Sequence, residues 1–282
     1  MNGEAAMVGT PVGGAAGLAG GLEPFKQLIK GHCGLQFEGD DATRLAQALH
    51  ERCTHHAVAL PAYLALVQRS ASELQELVNL LTINETYFFR ESAQIDWLVQ
   101  HLAPRLLACS QGAWPIRILS AACSTGEEPY SIVMTAIESL GARANFKVVA
   151  SDIDSRVIDR AAEGVYRADH LKGLSEERLH RFFLRGKGSN AGFVRVRPEL
   201  RDAVDFLNIN LIDDDWPFKT PLDVVFCRNV MIYFDAPTQR RVLERLHQVM
   251  RPGGLLFVGH AEHFSDAKDL FFLRGKTLYE RL

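Results

Sequence analysis

Two stretches place residues in an order suited to holding a nucleoside-like ligand. The first is Ala121-Ala122-Cys123-Ser124-Thr125-Gly126-Glu127-Glu128-Pro129, which follows an apolar run over residues 116–120. Small side chains and a glycine let a ligand lie close to the backbone. The second is Ser151-Asp152-Ile153-Asp154, which closes the apolar run 146–151. An acid roughly 20–30 residues after such a turn can accept hydrogen bonds from both ribose hydroxyls. Each stretch also has a plainer reading. Thr125-Gly126-Glu127-Glu128 matches a capping box, in which Glu128 is structural, and an acid after a strand is often only a turn residue.

The charge at the first stretch narrows the ligand. A dinucleotide would seat its pyrophosphate on the N-terminus of the following helix, drawn by the helix dipole. Glu127 and Glu128 stand there instead and would repel a phosphate. They tolerate a ligand with a ribose and cationic groups, which describes S-adenosylmethionine, with its ammonium and sulfonium. There is no G-x-G-x-x-G, so a nicotinamide dinucleotide is disfavoured. Pro252-Gly253-Gly254, read as a turn between a helix and a strand, completes an order that is more specific than any one piece.

The elements that position these residues follow from periodicity. From Glu23 to about Arg105 apolar residues recur at helical spacing: Phe25, Leu28 and Ile29; Leu45, Ala48, Leu49 and Cys53; Leu74, Leu77, Val78 and Leu81. Gly31, Gly34, Gly39 and Pro61 punctuate them. After Pro115 the pattern alternates, with strands expected at 116–120, 146–151, 203–207, 222–227 and 255–259. Helices are expected at 127–140, 155–163 and 238–250. A hairpin of 271–273 and 277–280 flanks Arg274-Gly275-Lys276. Such alternation predicts a parallel sheet covered on both faces with an antiparallel edge. Residues 166–202 interrupt it with a helix at 175–183 and two strand-like pieces around a glycine-rich loop. Phe193-Val194-Arg195-Val196-Arg197 has the period of a half-exposed strand. The expected organisation is a flexible Gly/Ala-rich tail (1–22), a helical domain (23–90), and a ligand-binding α/β domain (91–282) with an antiparallel β-subdomain inserted at about 166–202.

Composition excludes little more. The chain has 282 residues and a formal net charge of -3, so nothing global marks a nucleic-acid binder. Cys33, Cys53, Cys109, Cys123 and Cys227 are scattered and form no C-x-x-C pair, so neither a disulfide framework nor a metal site is expected. A reducing, cytoplasmic setting fits them. No run of 18 or more apolar residues exists, and the Gly/Ala-rich start lacks the basic segment of a signal peptide.

Longer motifs carry a resemblance. Asn84-Glu85-Thr86-Tyr87-Phe88-Phe89-Arg90-Glu91 resembles the domain-junction signature of the chemoreceptor glutamate methyltransferases (the CheR family). So do residues 120–131 and 151–154, Phe226-Cys227-Arg228-Asn229-Val230-Met231-Ile232-Tyr233-Phe234, and Gly259-His260-Ala261-Glu262. The similarity runs from about Leu28 to Tyr279. It implies a Rossmann-like class I methyltransferase sheet with an inserted antiparallel β-subdomain and an N-terminal all-helical domain. It implies transfer of a methyl group from S-adenosylmethionine to receptor glutamates, giving γ-carboxyl methyl esters and S-adenosylhomocysteine, without a metal. By motif it implies that Asn84, Thr86 and Arg90 reach the cofactor from the junction. Glu128 and Asp152 would hold the cofactor, with Asn210 and Leu211 near the adenine. Arg228 and Asn229 would line the pocket, and Tyr233 would sit close to the methyl transfer, with Arg90 and Tyr233 as catalytic residues. Phe88 and Phe89 are read as core.

The resemblance extends to partners. In a subset of the family the β-subdomain captures a receptor C-terminal pentapeptide as an added strand. This chain has a loop similar to that subset, Arg185-Gly186-Lys187-Gly188-Ser189-Asn190-Ala191-Gly192. Arg185, Gly186, Gly188, Gly192, Arg195 and Arg197 are the expected peptide-binding residues: glycines leave room for strand addition, and arginines pair with acidic groups. The alternative is a solvated hairpin with edge-protecting charges. The expected partners are thus a chemoreceptor cytoplasmic domain and its C-terminal peptide, with no nucleic acid, no membrane insertion, and a monomeric enzyme. One departure stands out. Family members carry a strongly basic second helix, whereas residues 44–56 offer Arg44 and Arg52 with His50, His55 and His56 against Glu51, a weaker cation near pH 7. A methyltransferase acting on a small molecule or nucleic acid would lack the junction motif and the glycine-rich insert. A non-catalytic module would not need Arg90, Asp152, Arg228 and Tyr233 together.

Overall fold

The computed structural model describes residues 16–98, 115–141, 145–171 and 173–282. It divides into two compact units, Met1–Leu81 and Thr82–Leu282. Segment 82–90, expected with the helical part, therefore groups with the second unit. The cause is polar: Thr82 Oγ1 and Asn84 Nδ2 both donate to Asp154 Oδ2, each at 2.9 Å, and Ser124 Oγ donates to the Asn84 carbonyl.

The first unit contains α1 (Ala16–Cys33), α2 (Asp40–His56), α3 (Leu60–Val67) and α4 (Ala71–Leu81). Helix α1 starts inside the stretch read as tail, and buried Leu22 ties its middle down. The rest of that tail, like Cys109, lies outside the described residues. Leu45, Ala48 and Leu49 bury one stripe of α2, while Asp40 and Asp41 at its start and His55 and His56 at its end suit the helix dipole. Left-handed Ala57 ends it. Pro61 does not break α3 but sits in its first turn, where a missing N–H costs nothing. Phe25, Ile29, Tyr63, Val67, Leu77 and Leu81 complete the core.

The second unit contains α5 (92–98), β1 (Ile116–Ala121), α6 (Glu127–Leu140), β2 (Phe146–Asp152), α7 (Ser155–Glu163), β3 (Val165–Arg167), α8 (Glu176–Phe182), β4 (Phe183–Arg185), β5 (Phe193–Val196), α9 (Pro198–Arg201), β6 (Val204–Asn208), β7 (Leu222–Cys227), α10 (Ala236–Val249), β8 (Met250–Val258), β9 (Phe271–Leu273) and β10 (Leu278–Arg281). Seven strands form a sheet in the order β6-β2-β1-β7-β8-β10-β9. The first five run parallel, and β10 and β9 add antiparallel. The three remaining strands form a separate antiparallel sheet, β3-β5-β4. Ile118, Val148, Val224, Phe226 and Phe257 pack the core, with the rings of Phe226 and Phe257 stacked 4.6 Å apart. Each such side chain stabilises the fold by about 1.5–3 kcal/mol.

One local expectation changes. Arg251-Pro252-Gly253-Gly254 is not a turn ahead of the last parallel strand but a bulge inside β8. Leu222 faces Met250 while Val224 faces Leu255, so the extra residues loop out between the two pairs. Gly253 takes φ +71°, and a Cβ on Gly254 would crowd the Arg251 and Asp223 carbonyls.

Candidate active site

The strand order reverses about β1, which has β2 on one side and β7 on the other, and ligands bind beyond the carboxyl ends of strands at such a point. The turn after β1 is shaped by backbone conformation. Ala122 and Ser124 take φ +62° and +49°, uncommon for residues with a side chain. Gly126 takes φ +93° and begins α6, and a Cβ there would meet Ala161. This turn aims the Ser124 N–H at Asp152.

Asp152 closes β2 and is buried. Its Oδ2 accepts from Ser124 N at 2.8 Å and its Oδ1 from Asp154 N at 3.0 Å. Burial pushes its carboxyl up, against the pull of those N–H groups. The Ile153 N–H also draws on this carboxylate, and the three together still leave acceptor capacity, since a carboxylate has about four lone-pair sites. Asp154 is a scaffold residue. Its Oδ1 accepts from Arg156 N and caps α7, while its Oδ2 receives Thr82 and Asn84.

Glu128 does not close a capping box. The N-cap of α6 is Gly126, and Thr125 Oγ1 donates to Glu127. Glu128 instead accepts from Ser120 Oγ at 2.7 Å and from Arg228 Nη1 at 2.9 Å. Arg228, just after β7, is buried, and its Nη2 reaches the Arg90 carbonyl at 2.8 Å and the Glu91 carboxylate at 2.9 Å. One guanidinium thus joins the first turn of α6, the β7 end and the 84–91 segment, in which Phe89 and Glu91 are also left-handed. Arg90 itself is half-buried; its Nη1 donates to the Glu85 carbonyl and its guanidinium lies over the Tyr87 ring. Thr86 is half-buried on the same segment. Phe88 is core, packed edge-on against Tyr166 and Phe183, while half-buried Phe89 lies under the Arg178 guanidinium.

The loop after β6 holds Asn210, whose Nδ2 donates to Asp213, and buried Leu211. The loop after β7 holds Asn229 at φ +58° and a short turn, Met231–Tyr233, with Tyr233 half-buried. Of the predicted cofactor residues, Asp152 ends β2, Glu128 lies in the first turn of α6, and Asn210, Leu211, Arg228 and Asn229 follow β6 and β7; Asn84 and Arg90 are tied to this edge through Asp154 and Arg228, and Thr86 shares their segment. The predicted peptide residues do not join them and lie on or beside the small sheet. Arg185 ends β4. Gly186 N donates to Phe193 O, and a Cβ on Gly186 would collide with the Asn190 carbonyl. Gly188 and Gly192 are left-handed. Arg195 and Arg197 reach the Glu163 and His180 carbonyls.

Sequence reasoning gave no role to Glu262 as a single residue, although its motif was visible. The carboxylate is buried and accepts from four backbone N–H groups: Gly259, Asn229, Val230 and Met231. Only the fold brings these donors together. Among the described residues no group of three or more His, Cys, Asp or Glu has metal-holding geometry, and no helix is long and apolar enough to cross a membrane.

This arrangement fits a ribose-bearing, phosphate-free ligand: an acid at the β2 end, and carboxylates where a phosphate would otherwise sit. The class is confirmed by family: residues 84–279 match the CheR methyltransferase, SAM binding domain. The chain belongs to the CheR family, and its cofactor is S-adenosylmethionine. Similar proteins are the chemotaxis protein methyltransferase 2 of Pseudomonas aeruginosa, 50% identical over 218 residues (77% of this chain, 76% of that one), and the chemotaxis protein methyltransferases of Klebsiella aerogenes, 46% over 220 residues (77% and 73%), and Escherichia coli K12, 46% over 220 residues (77% and 74%).

Proposed function

We propose that this chain methylates glutamate side chains on chemoreceptors, forming γ-carboxyl methyl esters. The observation that carries the reading is the match over residues 84–279, which spans the junction segment, the cofactor edge of the sheet and the small antiparallel sheet together. S-adenosylmethionine supplies an electrophilic methyl group. A glutamate carboxylate is already ionised near pH 7 and needs no general base. The protein's work is then alignment of the carboxylate and exclusion of water. Asp152 holds the ribose. Asn84, Thr86, Glu128, Asn210, Leu211, Arg228 and Asn229 shape the remaining cofactor site. Asn84 and Arg228 do so largely by tying segments together, a reading supported by their bonds to Asp154, Glu128 and Glu91. Arg90 orients the incoming carboxylate with its remaining N–H donors, and Tyr233 lies by the reacting groups. Each ester removes one negative charge from a receptor helix, which relieves repulsion between carboxylates and shifts a two-state signalling equilibrium.

The small sheet is proposed to capture the receptor's C-terminal peptide. Both β3 and β4 are edge strands, and Val165, Leu184 and Phe193 are exposed beside Arg195. That combination suits an added strand with apolar and acidic groups. The enzyme is proposed to act as a cytoplasmic monomer. Labelled S-adenosylmethionine incubated with receptor cytoplasmic fragments should leave base-labile label on glutamate, and base-stable label or none would contradict the substrate. Titration with receptor C-terminal pentapeptides tests the tether, and absence of binding to every candidate would remove it.

A further inference from the structure

We infer that Glu262 is a positioning residue for methyl transfer, fixing the loop that carries Asn229 and Tyr233 to the end of β8. The inference rests on the methyl-transfer site proposed above and deepens it. Glu262 follows β8 by a few residues, yet three of its four donors belong to the loop after β7. Its Oε1 accepts from Val230 N at 2.9 Å and Met231 N at 2.8 Å, and its Oε2 accepts from Asn229 N at 3.0 Å and from Gly259 N. These donors have left the β7–β8 ladder; those of Met231 and Gly259 are buried and must find an acceptor, and those of half-buried Asn229 and Val230 turn to the same one. A single carboxylate takes all four, so the ends of two neighbouring strands share one anchor.

The surroundings are built for that anchor. Asn229 is left-handed, which turns its N–H and those of the next two residues toward one point. Gly259 admits no side chain: a Cβ there would lie 2.6 Å from Asn229 Nδ2 and 3.0 Å from Glu262 Oε2. Arg228, immediately before, is pinned separately by Glu128, Glu91 and the Arg90 carbonyl. Residues 228–231 are thus held at every position, and Tyr233 follows within one turn, with Tyr233 N donating to the Val230 carbonyl. Asp152, at the other side of the site, is held by Ser124 and Asp154 and takes nothing from Glu262. The two anchors are therefore separable. Loss of Glu262 should move the reacting side of the site while the ribose side stays in place. Glutamine cannot substitute well, because its amide N–H₂ would face N–H donors and only one oxygen remains. Aspartate keeps the charge and both oxygens at a shorter reach.

The test uses the full chain with Glu262→Gln and Glu262→Asp. Hydrogen exchange at the amides of Asn229, Val230 and Met231 reads the anchor itself. Calorimetry with S-adenosylhomocysteine reads the ribose side, and labelled transfer to a receptor fragment at saturating S-adenosylmethionine reads turnover. The expected result for Glu262→Gln is faster exchange at those three amides, turnover down about tenfold or more, as small misplacements of reacting groups produce, and a much smaller loss of S-adenosylhomocysteine affinity, up to about threefold, through Asn229 alone because the Asp152 side stays in place. Glu262→Asp should recover part of the turnover. Turnover unchanged in Glu262→Gln, or turnover and affinity falling together in step with the folded fraction, would overturn the inference. If Glu262→Gln does not fold, Glu262→Asp decides: lowered turnover at normal affinity supports the role, and normal turnover overturns it. A wild-type enzyme that labels no receptor fragment sinks the substrate assignment instead, and the exchange comparison then decides on Glu262.

Discussion

The two units each bury a glutamate, and they hold it by opposite means. Glu73, in the first unit, is surrounded by side chains: Arg52 Nε and Nη2 at 2.8 and 2.7 Å, Tyr63 Oη at 2.7 Å and His56 Nε2 at 2.9 Å. Glu262, in the second, is surrounded by backbone N–H groups. Burial pushes both carboxyls up. At Glu73 the bonds from Arg52, then Tyr63 and His56, outweigh it and bring the carboxyl down to about 2. At Glu262 burial wins, and the carboxyl stays above its ordinary value. A full counter-charge stabilises a buried anion more than neutral dipoles do. The first arrangement ties helices α2, α3 and α4 to one another. The second fixes loop backbone, which a side-chain ion pair would not do. Asp152, also held by backbone N–H groups and also raised, belongs to the second kind. Both arginines of α2 are engaged within the unit: Arg52 with Glu73, and Arg44 with Asp41 at 3.1 Å.

The largest effect should come where both kinds meet. Arg228 is a buried cation between half-buried Glu128 and Glu91, so Arg228→Ala should lower stability by about 3 kcal/mol, by removing the buried tie and leaving two carboxylates uncompensated. Thermal melting of the second unit reads this, and a loss below about 1 kcal/mol would show that Arg228 is not the tie. Next, Asp152→Ala should weaken S-adenosylhomocysteine binding about a hundredfold by calorimetry, with the melt much less affected. Lowering the pH should weaken the same affinity starting above the ordinary aspartate value of 3.8, because the Asp152 carboxyl is raised. Affinity that holds down to that value would contradict an ionised Asp152 as the ribose acceptor.

A smaller effect is expected in the first unit, with the opposite pH sense. The folded Glu73 carboxyl lies below its ordinary 4.5, so its stabilisation is complete above that value and is lost as pH falls toward about 2. It amounts to on the order of 2–3 kcal/mol. Glu73→Gln should remove this acid sensitivity from the melt and leave S-adenosylhomocysteine affinity unchanged. The same acid slope in both proteins would place the sensitivity elsewhere. The smallest change should be Arg44→Ala, since Asp41 is partly exposed and the pair is one helical turn long: within about 0.5 kcal/mol by melting. A larger loss would mean that its stacking over Phe37 matters more than its charge.

Chemistry local to the chain was enough for the helices whose ends are local. Residues 127–140 and 155–163 match α6 and α7 because Asp154 caps one start and Gly141 and Gly164 close the ends. It determined the parallel core, because continuous apolar runs mark strands buried on both faces. It narrowed the ligand to a ribose-bearing, phosphate-free one, because Glu127, Glu128 and Asp152 carry charge in residue type and order, and the family match supplied S-adenosylmethionine. Whatever depends on partners far along the chain emerged only with the fold. The Arg251–Gly254 segment became a bulge because β7 supplies a register that no local pattern contains. Glu128 was settled by Arg228, Asn84 by Asp154 and Arg52 by Glu73, and the four donors of Glu262 converge from two loops. Periodicity and caps act over a few residues, whereas a buried charge is satisfied by whatever the fold brings within about 3 Å, and that distance is not written in the spacing of the sequence.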